Sequence, residues 1–169
     1  KNLIRDLTFQ IKENRKVKIG KIIINGNESI SDFRLRWEMK ETKQQPWYFF
    51  WRSTFDKKKF DEDKNLLTTY YRNKGYRDFS IISDSTTYSP NGKKMNIFLS
   101  VEEGPQYKYR NFSWEGMTLF DQKMLERALA LKKSERYSDE DFNMAVFSRV
   151  QGLYLDRGYI YSRVEPKIT

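Results

Sequence analysis

Apolar and polar side chains alternate near the start of the chain. Leu7, Phe9 and Ile11 are separated by Thr8 and Gln10 and followed by Lys12, and a period of two marks a strand with one buried face. The alternation returns at Ile97, Leu99 and Val101, a constant offset of 90 positions (101 − 11 = 90). A charged joint follows each run, Glu13-Asn14-Arg15-Lys16 and Glu102-Glu103-Gly104-Pro105. The pattern then predicts strands over residues 17–25 and 107–115, stopping at Gly26 and Gly116, where a tight turn favours glycine. At the same offset Val17 meets Tyr107, Ile19 meets Tyr109, Ile22 meets Phe112 and Ile24 meets Trp114. Apolar positions match where identities do not, which is how a repeated fold looks in sequence.

After each strand the period changes. Met124, Leu125, Ala128, Leu129 and Leu131 follow helical spacing behind Asp121, a suitable N-cap. Ile30, Phe33, Leu35, Trp37 and Met39 read ambiguously alone, but the partner segment makes them a helix, with Ser31 or Asp32 as its cap. A second helix follows in each copy, through Leu66, Leu67, Tyr70 and Tyr71 and through Phe142, Val146, Val150, Leu153 and Tyr154. Asp61-Glu62-Asp63 and Asp139-Glu140-Asp141 are expected at the positive N-terminal ends. Gly75 and Gly158 fall where a helix ends on a residue of positive φ. Their offset is 83 (158 − 75 = 83), so the first copy carries about seven extra residues, near 44–53.

A strand is expected over residues 79–88, then a hairpin turn at Ser89-Pro90-Asn91-Gly92, then a return strand from Met95. Each module therefore reads strand–helix–helix–strand–strand. Residues 1–13 hold what looks like the last strand of a preceding module, 14–103 a complete module with an aromatic insertion, and 104–169 a module without its final strand.

Composition narrows the chemistry. The 169 residues contain neither Cys nor His, which excludes thiolate and imidazole zinc sites and Ser-His or Cys-His nucleophiles. Glu102-Glu103 is the one carboxylate pair in view, and adjacent strand residues point to opposite faces. No catalytic residue, metal ligand or cofactor site is expected. The net charge of +9 is compatible with nucleic acid or anionic lipid as a partner, but a solvated basic surface is the simpler reading of it. No segment approaches the ~18 apolar residues of a membrane span.

The order of elements, with Tyr70-Tyr71-Arg72-Asn73-Lys74-Gly75-Tyr76-Arg77-Asp78 ending the second helix and Asp156-Arg157-Gly158-Tyr159 repeating its close, resembles the POTRA (polypeptide-transport-associated) domain. The long tyrosine-rich run is most similar to the tandem POTRA arrays of BamA-like outer-membrane assembly factors. That resemblance implies an α+β fold of small β-α-α-β-β modules, each a three-stranded mixed sheet in the order 1-3-2 with two helices on one face. It also implies a non-enzymatic periplasmic segment ahead of a C-terminal membrane barrel, with unfolded outer-membrane proteins and accessory lipoproteins as partners and no nucleic acid.

Two segments stand out within this plan. The strand Ile81-Ile82-Ser83-Asp84-Ser85-Thr86-Thr87 has neither Lys nor Pro, the usual guards of a free sheet edge. It is a candidate peptide-binding edge or an ordinary edge made soluble by its polar residues. Ser83→Pro is expected to block pairing there without harming the fold. The insertion Trp47-Tyr48-Phe49-Phe50-Trp51 offers a contact with lipid or a partner, or packing over its own or the neighbouring domain. The module without a closing strand and the closing strand without a module suggest that the first residues of one copy complete the last sheet of another, a head-to-tail contact that would be an artefact of where the sequence is cut. A competing reading is a tandem nucleic-acid-binding module stacking bases on Tyr107, Tyr109, Phe112 and Trp114. Against it, these rings align with aliphatic residues in the other copy, an exchange that a core tolerates.

Overall fold

Residues 8–11, 17–44 and 54–168 are described by the structure, a computed structural model. The first strand, β1 (Lys18–Asn25), buries Ile19, Ile22 and Ile24. Their spacing breaks the period of two because a bulge lies between Ile19 and Ile22. The extra residue keeps all three side chains on one face, and the Lys21 N–H is taken by the Asn96 side chain at 3.1 Å.

Helix α1 (Asp32–Glu38) is short. Ser31 stands at its N-cap but makes no side-chain capping bond. Asn27 braces the turn instead, donating to the Ile30 carbonyl at 2.9 Å and to Asp32 Oδ1 at 2.8 Å. Leu35 and Met39 are buried. The longer α2 (Lys57–Asn73) starts behind Asp56, whose carboxylate accepts the N–H groups of Lys58 and Lys59. The acids expected at its start, Asp61-Glu62-Asp63, therefore lie one turn further in. Asp63 is fully buried and accepts the N–H groups of Glu41 and Thr42, fastening the segment after α1 to α2.

Strands β2 (Ser80–Tyr88) and β3 (Lys94–Glu102) complete the sheet in the order β1-β3-β2. The central β3 runs parallel to β1 and antiparallel to β2. Its inward residues Met95, Ile97, Leu99 and Val101 meet Leu35, Phe60, Leu67 and Tyr71 of the two helices on one face. This is an α+β fold with a mixed sheet.

A buried polar lock closes this core. The Tyr71 hydroxyl donates to Glu103 Oε1 at 2.8 Å, and Glu103 Oε2 accepts the Ser29 N–H at 2.9 Å. The Tyr71 ring stacks on Phe79 with centroids 4.0 Å apart and meets Tyr76 edge-on. Burial, reinforced by the Glu103 carboxylate, pushes the Tyr71 phenol well above its ordinary range.

The second unit has its own core. Helix α3 (Gln122–Leu129), capped by Asp121 through the Met124 N–H at 2.7 Å, contributes Leu125 and Leu129. It packs on a continuous helical rod made of α4 (Asp139–Asn143), a π-helical stretch Met144–Val150 and α5 (Gln151–Leu155). The strand expected over 107–115 and the counterpart of β2 that the repeat implies over 161–167 are not laddered; Lys108 bridges Arg136, and Tyr107 and Tyr109 exchange main-chain bonds with Ser134, Glu135 and Tyr137, but neither segment forms a strand. The reason is topological. In the first unit both outer strands pair with β3 and not with each other, and among the described residues no segment takes that middle place in the second. Residues 8–11 form no strand either, while Leu7 and Lys12 to Lys16 lie outside the described residues.

Both long helical segments end in the same way. Gly75 N–H bonds the Arg72 carbonyl and Tyr76 N–H the Tyr71 carbonyl; Gly158 N–H bonds Leu155 and Tyr159 N–H bonds Tyr154. These are Schellman caps around glycines at φ 91° and 83°. The first cap also joins the two units. The Gly75 carbonyl accepts the Tyr107 N–H at 2.8 Å, and the Lys74 carbonyl accepts the Gln106 side chain at 2.9 Å. Tyr107 donates its hydroxyl to Asp78 at 2.6 Å. Asn73 reaches across, its Oδ1 accepting the Glu140 N–H at 3.0 Å at the start of α4.

Two outcomes follow from this packing. Tyr71→Phe leaves a buried carboxylate oxygen without its donor and should cost about 1–3 kcal/mol in a denaturant titration. Because the folded state holds the phenol protonated, its contribution is complete below the ordinary tyrosine pKa of about 10 and declines above it. The parent should therefore lose more stability than Tyr71→Phe when both are unfolded at alkaline pH. At the joint, a Cβ on Gly75 would lie 2.9 Å from Arg136 Cγ and 3.1 Å from the Tyr107 carbonyl, whereas one on Gly158 meets nothing within 4 Å. Alanine at either position costs about 1–2 kcal/mol for its left-handed backbone. Gly75→Ala should cost a further ~1–3 kcal/mol for crowding, read as a larger drop in melting temperature than for Gly158→Ala.

Candidate functional site

The two outer strands of the sheet differ in what covers them. Along β1, the Val17 carbonyl accepts the Phe55 N–H at 3.1 Å and Lys18 bridges Thr54. The Ile22 carbonyl accepts Arg36 at 3.4 Å and Gln44 at 3.1 Å. No such cover lies along β2 among the described residues, and most of its side chains are exposed. Its outer main-chain groups form an open row.

The hairpin determines which groups those are. The Ser89 N–H bonds the Lys94 carbonyl at 2.8 Å, and the register from Tyr88–Met95 to Ser83–Ser100 runs without a shift. Hydrogen-bonded and non-bonded pairs alternate along an antiparallel ladder. Thr87, Ser85 and Ser83 therefore turn their N–H and C=O groups towards β3. Tyr88, Thr86 and Asp84 turn theirs outward. The expectation for Ser83→Pro is corrected by this phase: proline there removes a donor from the β2–β3 ladder and weakens the sheet, leaving the outer row intact. Ile81 packs against the core, and Ile82 is the extra residue of a bulge between Ile81 and Ser83, which ends the regular row.

Sequence reasoning missed Tyr88, whose outward groups extend the row beyond Thr87. The signal was the hairpin turn, once its closing pair is known. It also missed Lys64. Asp84 sits opposite the inward-facing Leu99, so its side chain lies on the helix side of the sheet. There Lys64 of α2 bonds Asp84 at 2.5 Å and Asp61 at 2.8 Å. The hydrogen bonds to Asp61 and then Asp84 raise the Lys64 ammonium pKa, and Lys64 in turn lowers that of Asp61. A further unforeseen feature is the exposed pair Phe33 and Trp37 on α1, with ring centroids 6.4 Å apart.

The remaining candidates are placed as follows. Trp47, Tyr48, Phe49, Phe50 and Trp51 lie outside the described residues. Gly26 and Gly116 have φ of 90° and 72°; a Cβ on Gly26 would meet the Val101 carbonyl at 2.0 Å, so the turn after β1 admits no side chain. Tyr109 is buried, and Phe112 and Trp114 pack against the second core, an arrangement unlike a base-stacking platform. No cluster of three acidic residues suited to a metal ion occurs among the described residues.

Comparison with known proteins agrees with this geometry. The family model described as POTRA, surface antigen variable number repeat, matches residues 17–104 and again 107–169. The chain is 31% identical over 161 residues to the outer membrane protein assembly factor BamA of Neisseria meningitidis serogroup B, covering 94% of this chain and 20% of that protein. It is 24% identical to BamA of Buchnera aphidicola, covering 99% of this chain and 28% of the relative. The chain thus spans between a fifth and a third of these relatives. Among solved structures, Haemophilus influenzae BamA POTRA3-5 superposes with a TM-score of 0.64 at 25% identity, over 86% of this chain and 57% of that one. POTRA1-2 of Anabaena Omp85 shares the fold, with a TM-score of 0.54 at 16% identity over 92% and 88% of the two chains. A twice-matched family model, a sheet ordered β1-β3-β2 and twin glycine-capped helices lead to one conclusion: the chain belongs to the POTRA family, as a BamA-like tandem pair.

Proposed function

We infer that this chain is part of the periplasmic region of an outer-membrane protein assembly factor, and that β2 of its first unit receives unfolded outer-membrane proteins by strand addition. The observation that carries this reading is the open row of Asp84, Thr86 and Tyr88 beside a β1 edge that is already covered. Main-chain pairing recognises an extended segment largely regardless of its side chains, which suits a receptor with many clients. The chain does no chemistry; it holds and hands on. Residues 1–13 correspond to the last strand of a preceding module, although 8–11 form no strand in this chain; 14–103 are a full module, and 104–169 a module whose sheet needs one more strand. A membrane barrel belongs to the same full-length protein, and accessory lipoproteins dock on the modules. The names of the relatives, assembly factors of the outer membrane, support this placement.

The direct test is photo-crosslinking of an unfolded outer-membrane barrel protein, diluted from urea, to a probe at Thr87. Thr86→Pro removes an outward N–H from an edge strand, a position where proline is tolerated, and should abolish most of the crosslink while the melting temperature holds. Undiminished crosslinking would overturn the reading. Ser83→Pro should instead lower the melting temperature, because it breaks an inner ladder bond.

The 169-residue chain is further proposed to associate head to tail, residues 7–12 of one copy entering the second unit of another between 107–115 and 161–167. Phe9 and Ile11 are 81% and 83% exposed, and Tyr161 is 94% exposed, a distribution that strand insertion would bury. Light scattering should show a dimer or longer species that Phe9→Ser with Ile11→Ser returns to a monomer. A parent chain that stays monomeric at its highest soluble concentration would exclude the arrangement.

A further inference from the structure

We propose that the β2 edge selects its clients by charge: it favours an extended segment carrying a Lys or Arg at the residue that pairs with Asp84, and a large apolar or aromatic residue four positions away, beside Tyr88. This rests on the strand-addition reading above and adds side-chain preference to a main-chain site.

The argument starts from the ladder phase. The outward main-chain groups belong to Asp84, Thr86 and Tyr88, opposite Leu99, Ile97 and Met95. Those three β3 residues face the helices, so the side chains of Asp84, Thr86 and Tyr88 stand on the helix side as well. Residues directly opposite one another in a sheet share a face. Each incoming residue that pairs with one of these three must therefore project its side chain to the helix side, against α2. The alternate incoming residues project to the other face, where β2 offers Ser83, Ser85 and Thr87. Selection thus acts on every second residue of the client.

On the helix side one charged cluster dominates the position beside Asp84. Lys64 lies between Asp61 and Asp84, bonded to both. One ammonium between two carboxylates leaves this bonded trio a net negative charge, and the second nearby ammonium, Lys57, acts on Asp61 only through space, without a bond to either carboxylate. Exposure sharpens the asymmetry: the Asp61 and Asp84 side chains are 48% and 40% exposed, and Lys64 is 24% exposed and lies over the Phe60 ring at 5.1 Å. An arriving side chain meets carboxylate oxygen before ammonium. A cation there gains a partner, and an acid is repelled; like charges directly opposite across strands destabilise the pair. At the other end, Tyr88 is a large exposed ring on the same side of the sheet, and cross-strand aromatic pairs are favourable.

The test uses the whole 169-residue chain and two synthetic peptides of about nine residues, long enough for one strand. Both alternate Ser and Thr with Tyr, Val and a final variable residue on one face; one carries Lys at that position and the other Glu. Fluorescence anisotropy should show the Lys peptide binding about fivefold more tightly, the range of a partly exposed ion pair. Asp84→Lys should reverse the preference, because the cluster then holds two ammoniums and one carboxylate. Hydrogen exchange on the unmodified chain supplies the independent readout: the Lys peptide should protect the amides of Asp84, Thr86 and Tyr88. Equal affinities, with those amides protected by both peptides, would overturn the charge selection while leaving the edge as the docking site. Binding without protection of those amides would remove the edge itself, and the selection with it.

Discussion

The middle strand governs this molecule. In the order β1-β3-β2, every strand pairing of the first sheet is made to β3, so the two flanking strands never pair with each other. β3 also presents four of the core side chains, and Glu103 just beyond it anchors Tyr71 and the turn at Ser29. The two units are a natural comparison. Where the middle strand is present, flanking segments of alternating sequence become β1 and β2. In the second unit, where no such strand lies among the described residues, segments of similar pattern form no sheet and only residues 107–109 find main-chain partners, at 134–137, although the helices beside them pack a core of their own. Strand propensity here is a capacity that a neighbour must realise.

The difference between the two outer strands comes from side chains on the helical layer. Arg36 and Gln44 reach the Ile22 carbonyl, and the chain entering α2 lies along Val17 and Lys18. These contacts close one margin of the sheet. The other is crossed on its helix side by the Lys64 bridge to Asp84, which occupies the side chain and leaves the backbone open. An edge can thus be anchored to its own domain without being capped against a guest, since side chains stand out of the plane in which ladder bonds form.

Much of this was legible in the residues because it is local. The helix at Asp121, the hairpin at Asn91-Gly92 and the glycine stops at Gly75 and Gly158 depend on a few neighbours, and each is present. The comparison of copies resolved the segment around Leu35 as helix, where alternation alone suggested a strand. The misses are non-local. Asp63 looked like a helix-dipole acid and is a buried brace, because its partners Glu41 and Thr42 are distant in sequence. The strands expected in the second unit do not form among the described residues, because alternation alone supplies no pairing partner. The ladder phase of β2 was beyond reach, since the choice between Ser83 and Asp84 as the outward residue turns on one bond at Ser89. A periodic pattern tells which side chains share a face; it does not tell which amides face out.

The side chain of Asn73 belongs to one unit and satisfies the first turn of a helix in the other. An orphan N–H at a helix start normally finds its acceptor within its own chain segment. Here the acceptor is on loan across the joint, so melting the end of α2 would uncover the beginning of α4. Neighbouring repeats tied in this manner share their fate: the free energy of each includes a nearest-neighbour contribution, as in a one-dimensional array. Damage to one unit would then travel along the array as a loss of order in the next.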